Sequence, residues 1–175
     1  MVIHLKKLNL FNPKKLSLSN PIIRYAQNPI LAPNQVNAVW QKPKWQVVTV
    51  HNAGVTTLGD ETIMLFRSHL RCGISVLGLA RSKNGVDNWK IHPAPVLKPA
   101  TENDDFAPNA DIDQLIQNES GGVEDPRIMK FGDEYAITYS AYHGAVKNRV
   151  RVSLAFTKDF IHFTRFGPVL DRDMR

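Results

Sequence analysis

From Trp45 onward the chain alternates short apolar runs with polar turns. VVTVHNAGVTTL, ETIMLFRSHL and SVLGLARS follow one another, each rich in Val, Ile, Leu, Thr or Phe. Runs of this composition predict β-strands. Gly59-Asp60 and Asn84-Gly85 sit between runs, where tight turns need residues that accept unusual backbone angles. Residues 98–122 break the pattern as a long polar connection carrying Glu102, Asp104, Asp105, Asp111, Asp113 and Glu119. The strand pattern then resumes as RIMKF, EYAITYSAY, RVRVSLAF and FIHFTRFGPVL. Residues 1–45 are different. Asn20-Pro21, Asn28-Pro29, Ala32-Pro33 and Lys42-Pro43 interrupt them too often for a long helix, so an extended N-terminal arm is expected there.

The two strand-rich stretches resemble each other. GDETIMLFRSHL (59–70) aligns with GDEYAITYSAYH (132–143), and SVLGLARSKNGVDNWKIHPAPVL (75–97) aligns with RVSLAFTKDFIHFTRFGPVL (151–170). About four short strands per unit, repeated, is the signature of a β-propeller blade, although strand patterns alone also allow a sandwich. The expected fold is therefore all-β: an arm over 1–45, then an incomplete propeller over 46–175. Its blade-like repeats cover about 46–97 and 123–170, joined by the polar loop 98–122. Even a propeller of about four blades needs more chain than this, so the expectation is the first part of a larger ring.

Bulk properties change this picture little. A chain of 175 residues, 43% hydrophobic and 22% charged, suits one soluble domain. The net charge of +6 raises nucleic acid as a partner, but beyond Lys6-Lys7, Lys14-Lys15 and Lys42-Pro-Lys44 the basic residues are dispersed. With no nucleic-acid-binding motif beside them, they read as a solvated surface. The single cysteine, Cys72, excludes an internal disulfide. The start MVIHLKKLNLFNPKK lacks the apolar core and cleavage site of a signal peptide, and no stretch approaches about 20 apolar residues, so a cytoplasmic protein is expected.

One stretch stands apart from this ordinary background. GGVEDPRIM (121–129) places two adjacent acids, Glu124 and Asp125, at the opening of an apolar strand. It is either a charged turn or a working carboxylate pair. Proline disfavours helical backbone at the preceding residue, so Asp125 is expected to be extended. Side chains alternate along an extended chain, which puts Asp125 and Arg127 on one face and Glu124 on the other. Burial and the Glu124 charge would raise the Asp125 pKa, and Arg127 would oppose that rise.

Several ordered motifs give this stretch a context. They are Asn28-Pro-Ile-Leu, His51-Asn-Ala-Gly-Val, Leu65-Phe-Arg-Ser, Leu77-Gly-Leu-Ala-Arg-Ser, Gly122-Val-Glu-Asp-Pro-Arg-Ile, Tyr135-x-x-x-Tyr and Val152-Ser-Leu-Ala. Over about residues 28–170 the chain resembles the N-terminal half of glycoside hydrolase family 130, the β-mannoside phosphorylases and related β-mannosidases, which are five-bladed β-propellers. The resemblance implies inverting phosphorolysis of β-1,4-mannosides to mannose 1-phosphate. Asp125 would be the general acid, protonating the leaving oxygen through a sugar hydroxyl. Hydrolysis with inversion needs a second carboxylate to activate water, whereas inorganic phosphate arrives already anionic and needs cations to hold it. Those partner groups lie in the family's later blades. The alternatives are an inverting β-mannosidase of the same family, or a non-catalytic truncated half-propeller that binds sugar or another chain.

By the same resemblance Asn52 and Arg67 contact the sugar, and Glu124, Arg127 and His143 are further substrate-binding candidates. Their structural readings are strand-end polar residues and, for His69 and His143, one place apart in the aligned repeats, satisfied structural histidines. Tyr139, Tyr142 and Trp89 are either stacking platforms for sugar or packing between blades. The Asp104-Asp105 and Asp111-x-Asp113 pairs lack EF-hand spacing and no His/Cys cluster suggests zinc, so no metal is expected. Nor is any cofactor, apart from inorganic phosphate as co-substrate. The expected partners are a β-mannoside, phosphate, and either a second copy or the missing C-terminal half, with no nucleic acid and no membrane.

Overall fold

The computed structural model describes residues 25–170. Two antiparallel four-stranded units carry the chain. The first contains β1 (Val47–Leu58), β2 (Glu61–Leu70), β3 (Ser75–Ser82) and β4 (Lys90–Ile91). A connection follows with β5 (Asp105–Phe106) and the helix α2 (Ile112–Glu119). The second unit contains β6 (Gly122–Phe131), β7 (Glu134–Tyr142), β8 (Val150–Thr157) and β9 (Thr164–Pro168), and β5 adds to it beside β9. A parallel bridge between Ser75 and Gly122 joins the two units.

The turn chemistry repeats with the strands. Gly59 and Gly132 open the β1–β2 and β6–β7 turns with φ of +61° and +59°. A Cβ at either position would meet nothing within 4 Å, so glycine is needed there for backbone conformation and not for space.

Burial follows from strand alternation. Ile63 and Leu65 of β2 face the second unit, in a core with Leu77, Leu79, Val123, Tyr135, Ile137 and Tyr139. The intervening Met64 and Phe66 face the other way, packing with Val36 and Trp40. A strand covered on both faces has no polar side to display, hence the unbroken Ile63–Phe66 run. Gly78 on β3 makes room for this second layer: a Cβ there would fall 2.3 Å from the Phe66 ring and 2.9 Å from Trp40.

The arm departs from the extended form expected of it. Residues 1–24 of that expectation lie outside the described residues, but α1 (Pro33–Val39) and a 3-10 turn (Pro43–Trp45) are helical. Pro33 occupies the helix start, where its missing N–H costs no hydrogen bond, and Gln35 Oε1 accepts from the Ala32 N–H at 2.7 Å. Packing then holds the short helix, with Val36 and Trp40 buried and the Trp40 indole donating to the His92 carbonyl at 2.8 Å. Among the described residues no helix is long and apolar enough to cross a membrane.

The 98–122 connection is not simply polar surface. Glu119 is fully buried at the end of α2, and its carboxylate accepts from Tyr139 Oη at 2.6 Å, the Ala100 N–H at 3.1 Å and the Arg165 guanidinium. Arg165 also donates to the Lys98 carbonyl at 2.8 Å and lies 3.5 Å from Asp104. Burial pushes the Glu119 carboxyl up, against the opposing pull of Arg165 and the hydrogen bonds. The same burial works against the Arg165 charge, yet Glu119 holds the guanidinium above its ordinary value. Hence Tyr139 is a buried hydrogen-bond donor and not a stacking platform.

Replacing Arg165 with Met should lower the unfolding free energy by about 3–5 kcal/mol, because it leaves a buried carboxylate without its cation. The sign of the pH dependence follows from burial. The folded variant keeps Glu119 protonated at pH values where the unfolded chain has already released that proton. Wild-type Glu119 is itself raised, so the loss is small at low pH and grows as pH rises above the wild-type carboxyl's own raised range. Urea denaturation of both proteins between about pH 4 and 8 measures this, and a loss that shrinks with rising pH contradicts the account.

Candidate active site

The two first strands, β1 and β6, distort at equivalent places. Pairing of β1 with β2 shifts between His51 and Gly54, and pairing of β6 with β7 shifts between Glu124 and Arg127. Within these bulges Asn52 and Asp125 both take left-handed backbone at φ +49°. Asn and Asp tolerate that region better than other non-glycine residues, and a bulge re-aims the side chains on it. The residues are 73 positions apart, the same offset that separates Gly59 from Gly132 (132 − 59). Asn52 is thus the first unit's counterpart of Asp125. Gly54 lets the strands approach, since a Cβ there would lie 2.8 Å from the Pro126 carbonyl oxygen.

At this meeting point the side chains converge. Asn52 Nδ2 donates to Asp125 Oδ1 at 2.9 Å. The Arg67 guanidinium, from the middle of β2, donates through Nη1 to Asp125 Oδ1 at 3.1 Å and through Nη2 to Glu124 Oε1 at 2.6 Å. Its Nε donates to Ser75 Oγ at 3.2 Å. The Glu124 and Asp125 side chains are 18% and 31% exposed, so the cluster is half-sunk but open to a ligand. A cavity of about 400 Å³ opens beside Asn52, lined in part by Asn28, His51, Met64 and Phe66.

This geometry overturns the alternation argument. Glu124 and Asp125 both engage Arg67, because the left-handed turn at Asp125 cancels the alternation that an extended strand would impose. Pro126 does not hold its neighbour extended. Arg127 is exposed and folds back, Nη1 donating to the Pro126 carbonyl at 3.0 Å. The balance of effects on the Asp125 pKa, left open by the sequence, falls on the low side. Burial raises it, but the hydrogen bonds from Asn52 and Arg67 and the charges of Arg67 and Arg127 outweigh burial and hold it below the ordinary aspartate value.

The other sequence candidates take structural places. His143 Nδ1 accepts from the Ala145 and Val146 N–H groups, each at 3.1 Å, shaping its own loop. Trp89 is half-buried against the layer that contains Trp40, with its indole donating to the Val86 carbonyl at 3.2 Å. Tyr142 packs on Gly121, where a Cβ would fall 2.5 Å from its ring. Of the acidic pairs, Asp111 caps α2, Asp105 accepts from Thr164, and Asp104 accepts from Thr101. Among the described residues no group of three or more His, Cys, Asp or Glu is placed to hold a metal. Two site features escaped the sequence reading. The pairing of Asn52 with Asp125 was legible in the 73-residue offset, whereas nothing in the local sequence singled out Ser75.

Known proteins resemble this chain in sequence and in fold. The chain is 28% identical over 155 residues to a 1,2-beta-oligomannan phosphorylase of Thermoanaerobacter sp. (strain X514), covering 85% of this chain and 45% of that protein. It shares its fold with a solved beta-1,2-mannobiose phosphorylase from Listeria innocua, with 19% identity, a TM-score of 0.64, and 84% and 51% of the two chains covered. It likewise shares the fold of a solved member of the mannoside phosphorylase group that contains hydrolases of beta-1,2 mannosidic linkages in Candida mannan. That match has 21% identity, a TM-score of 0.67, and coverage of 84% and 40%. The chain thus spans about half the length of these relatives. The profile of glycoside hydrolase family 130, described as beta-1,4-mannooligosaccharide phosphorylase, matches residues 21–172, and the chain belongs to that family.

Proposed function

We propose that this chain supplies the acid half of a cytoplasmic, inverting β-mannoside phosphorylase that needs no cofactor beyond its phosphate co-substrate. The observation that carries the reading is the convergence of Asn52, Arg67 and Glu124 on Asp125 where β1 meets β6. In the reaction, a phosphate oxygen attacks the anomeric carbon from the face opposite the leaving sugar. The bond from that carbon to the glycosidic oxygen breaks, and a sugar hydroxyl passes the Asp125 proton to the departing oxygen. Asp125 is left as a carboxylate. The cations that hold phosphate belong to the part of the family fold beyond this chain's match. β-1,4 is the first linkage to test, from the family description, and β-1,2 is its comparator, from the Thermoanaerobacter relative.

A carboxyl held low by Asn52 and Arg67 is ionised near neutral pH and has no proton to give until those donors move. Both are also the groups best suited to bind sugar hydroxyls. When they turn to the sugar, Asp125 loses its stabilising hydrogen bonds and takes up a proton. Mannoside binding near neutral pH should therefore absorb protons, which calorimetry in two buffers of different ionisation enthalpy detects. Binding heats that do not depend on the buffer contradict this step.

Asp125→Asn keeps the shape without the proton, so turnover should fall by about 10²–10⁴-fold while sugar binding changes far less. Arg67→Ala should weaken binding and turnover together, each lost hydrogen bond costing about 0.5–1.5 kcal/mol. The assay is phosphate-dependent release of mannose 1-phosphate from β-1,4- and β-1,2-mannobiose, with mannose release in phosphate-free buffer reporting hydrolysis. Near-full activity of Asp125→Asn in both assays removes Asp125 from the acid role.

For the whole protein we infer a five-bladed propeller, in which a neighbouring blade or a second copy covers the outer face of β6–β9. Phe131 and Met129 are each 62% exposed there, and Phe156 stands edge-on to both Phe131 and Phe166. Contiguous apolar surface of this kind favours association. Light scattering on the isolated chain should show self-association that Phe131→Ser with Phe166→Ser reduces; a monodisperse monomer before mutation counts against it.

A further inference from the structure

Three of the five N–H groups of Arg67 point in fixed directions: Nη1 to Asp125, Nη2 to Glu124 and Nε to Ser75 Oγ. Two of these partners are the carboxylates themselves, so only the Ser75 contact holds the guanidinium from behind. Ser75 is fully buried, and its hydroxyl also lies 3.2 Å from His69 Nδ1. The direction of the first bond follows from what each group can offer. Arginine has no acceptor, so Ser75 Oγ accepts from Nε. Its one hydrogen is then left for His69 Nδ1, which accepts it when the ring carries its hydrogen on Nε2; in the other tautomer Nδ1–H donates to the second lone pair of Oγ. The serine backbone is anchored as well. It bridges to Gly122, whose φ is +137°, and a Cβ at Gly122 would fall 2.7 Å from the Ser75 nitrogen. Gly122 opens the strand that carries Glu124 and Asp125. The support of Arg67 and the strand bearing its targets therefore share one junction.

We propose that Ser75, oriented by His69, is the positioning residue that aims Arg67 at the Glu124–Asp125 pair. This rests on the reading that the pair and Arg67 form the working site, but its test does not need turnover. Without the Ser75 hydroxyl the guanidinium can rotate about its side chain, and its grip on Asp125 weakens.

Carbon-13 NMR titration of the Asp125 carboxyl in the full 175-residue chain measures that grip directly. Ser75→Ala should move the Asp125 midpoint up towards the ordinary aspartate value. His69→Ala should move it in the same direction by less, and His69→Asn, whose amide oxygen can accept from Ser75, should restore it. Ser68→Ala is the control, because Ser68 is equally buried, lies on β2 between Arg67 and His69, and has no hydrogen-bond partner for its hydroxyl among the described residues. It should leave the midpoint in place. An unmoved midpoint in Ser75→Ala, or an equal shift in Ser68→Ala, overturns the proposal. If Ser75→Ala fails to fold, the His69→Ala and His69→Asn pair decides by the same criterion. A shifted midpoint in a chain that phosphorolyses no mannoside would leave this inference standing and sink the proposed function instead.

Discussion

The structure depends on how closely two backbones approach where the first strands of the units meet. β1 and β6 come together at Gly54, where a side chain would strike the Pro126 carbonyl. β3 and β6 come together at Gly122, where one would strike Ser75. Both contacts leave no volume for a Cβ, so the sequence spends a glycine at each. Because the units lie this close, Asn52 and Arg67 from the first reach the carboxylates of the second within hydrogen-bond distance. Moving the backbones apart by one methyl group's width would break every one of those bonds.

The core that holds the units together also determines how rigid the site is. Ile63, Leu65, Leu77 and Leu79 of the first unit pack against Val123, Ile137 and Tyr139 of the second. Arg67 follows that packed stretch of β2 by two residues, and Glu124 follows buried Val123 directly. Apolar packing therefore carries the polar groups on stiff strands. Within the second unit, the Glu119–Arg165–Tyr139 cluster fastens the 98–122 connection to β7 and β9. A cluster so fully desolvated is costly to break, because each charge relies on the other.

The site's electrostatics follow from placement as much as from residue type. Two adjacent carboxylates would repel each other and favour sharing a proton. Arg67 reverses that by bridging them, so the resting Asp125 is ionised more readily than an ordinary aspartate. In the proposed reaction an acid held in this state depends on its ligand to release it, and the proton chemistry and the sugar binding would draw on the same two donors, Asn52 and Arg67.

The strands, the Gly-Asp turns and the two-fold repeat were legible in the sequence because they are local: composition, alternation and turn residues act within a few positions. The 73-residue offset carried more than was read from it, since it sets Asn52 opposite Asp125 in the repeat. What lay beyond reach was set by contacts between distant segments. The left-handed turn at Asp125 turns both carboxylates onto Arg67 against the local preference that Pro126 imposes. Helix α1 forms because Trp40 and Val36 find a layer prepared by Met64, Phe66 and Gly78. Glu119 looks like one more surface acid until Arg165, 46 residues later, meets it in the interior. Ser75 has no local signal at all, since its role comes from Gly122 behind it and Arg67 in front. Periodicity records which faces of a strand are apolar; which strands bring those faces together is decided only when the units close on each other.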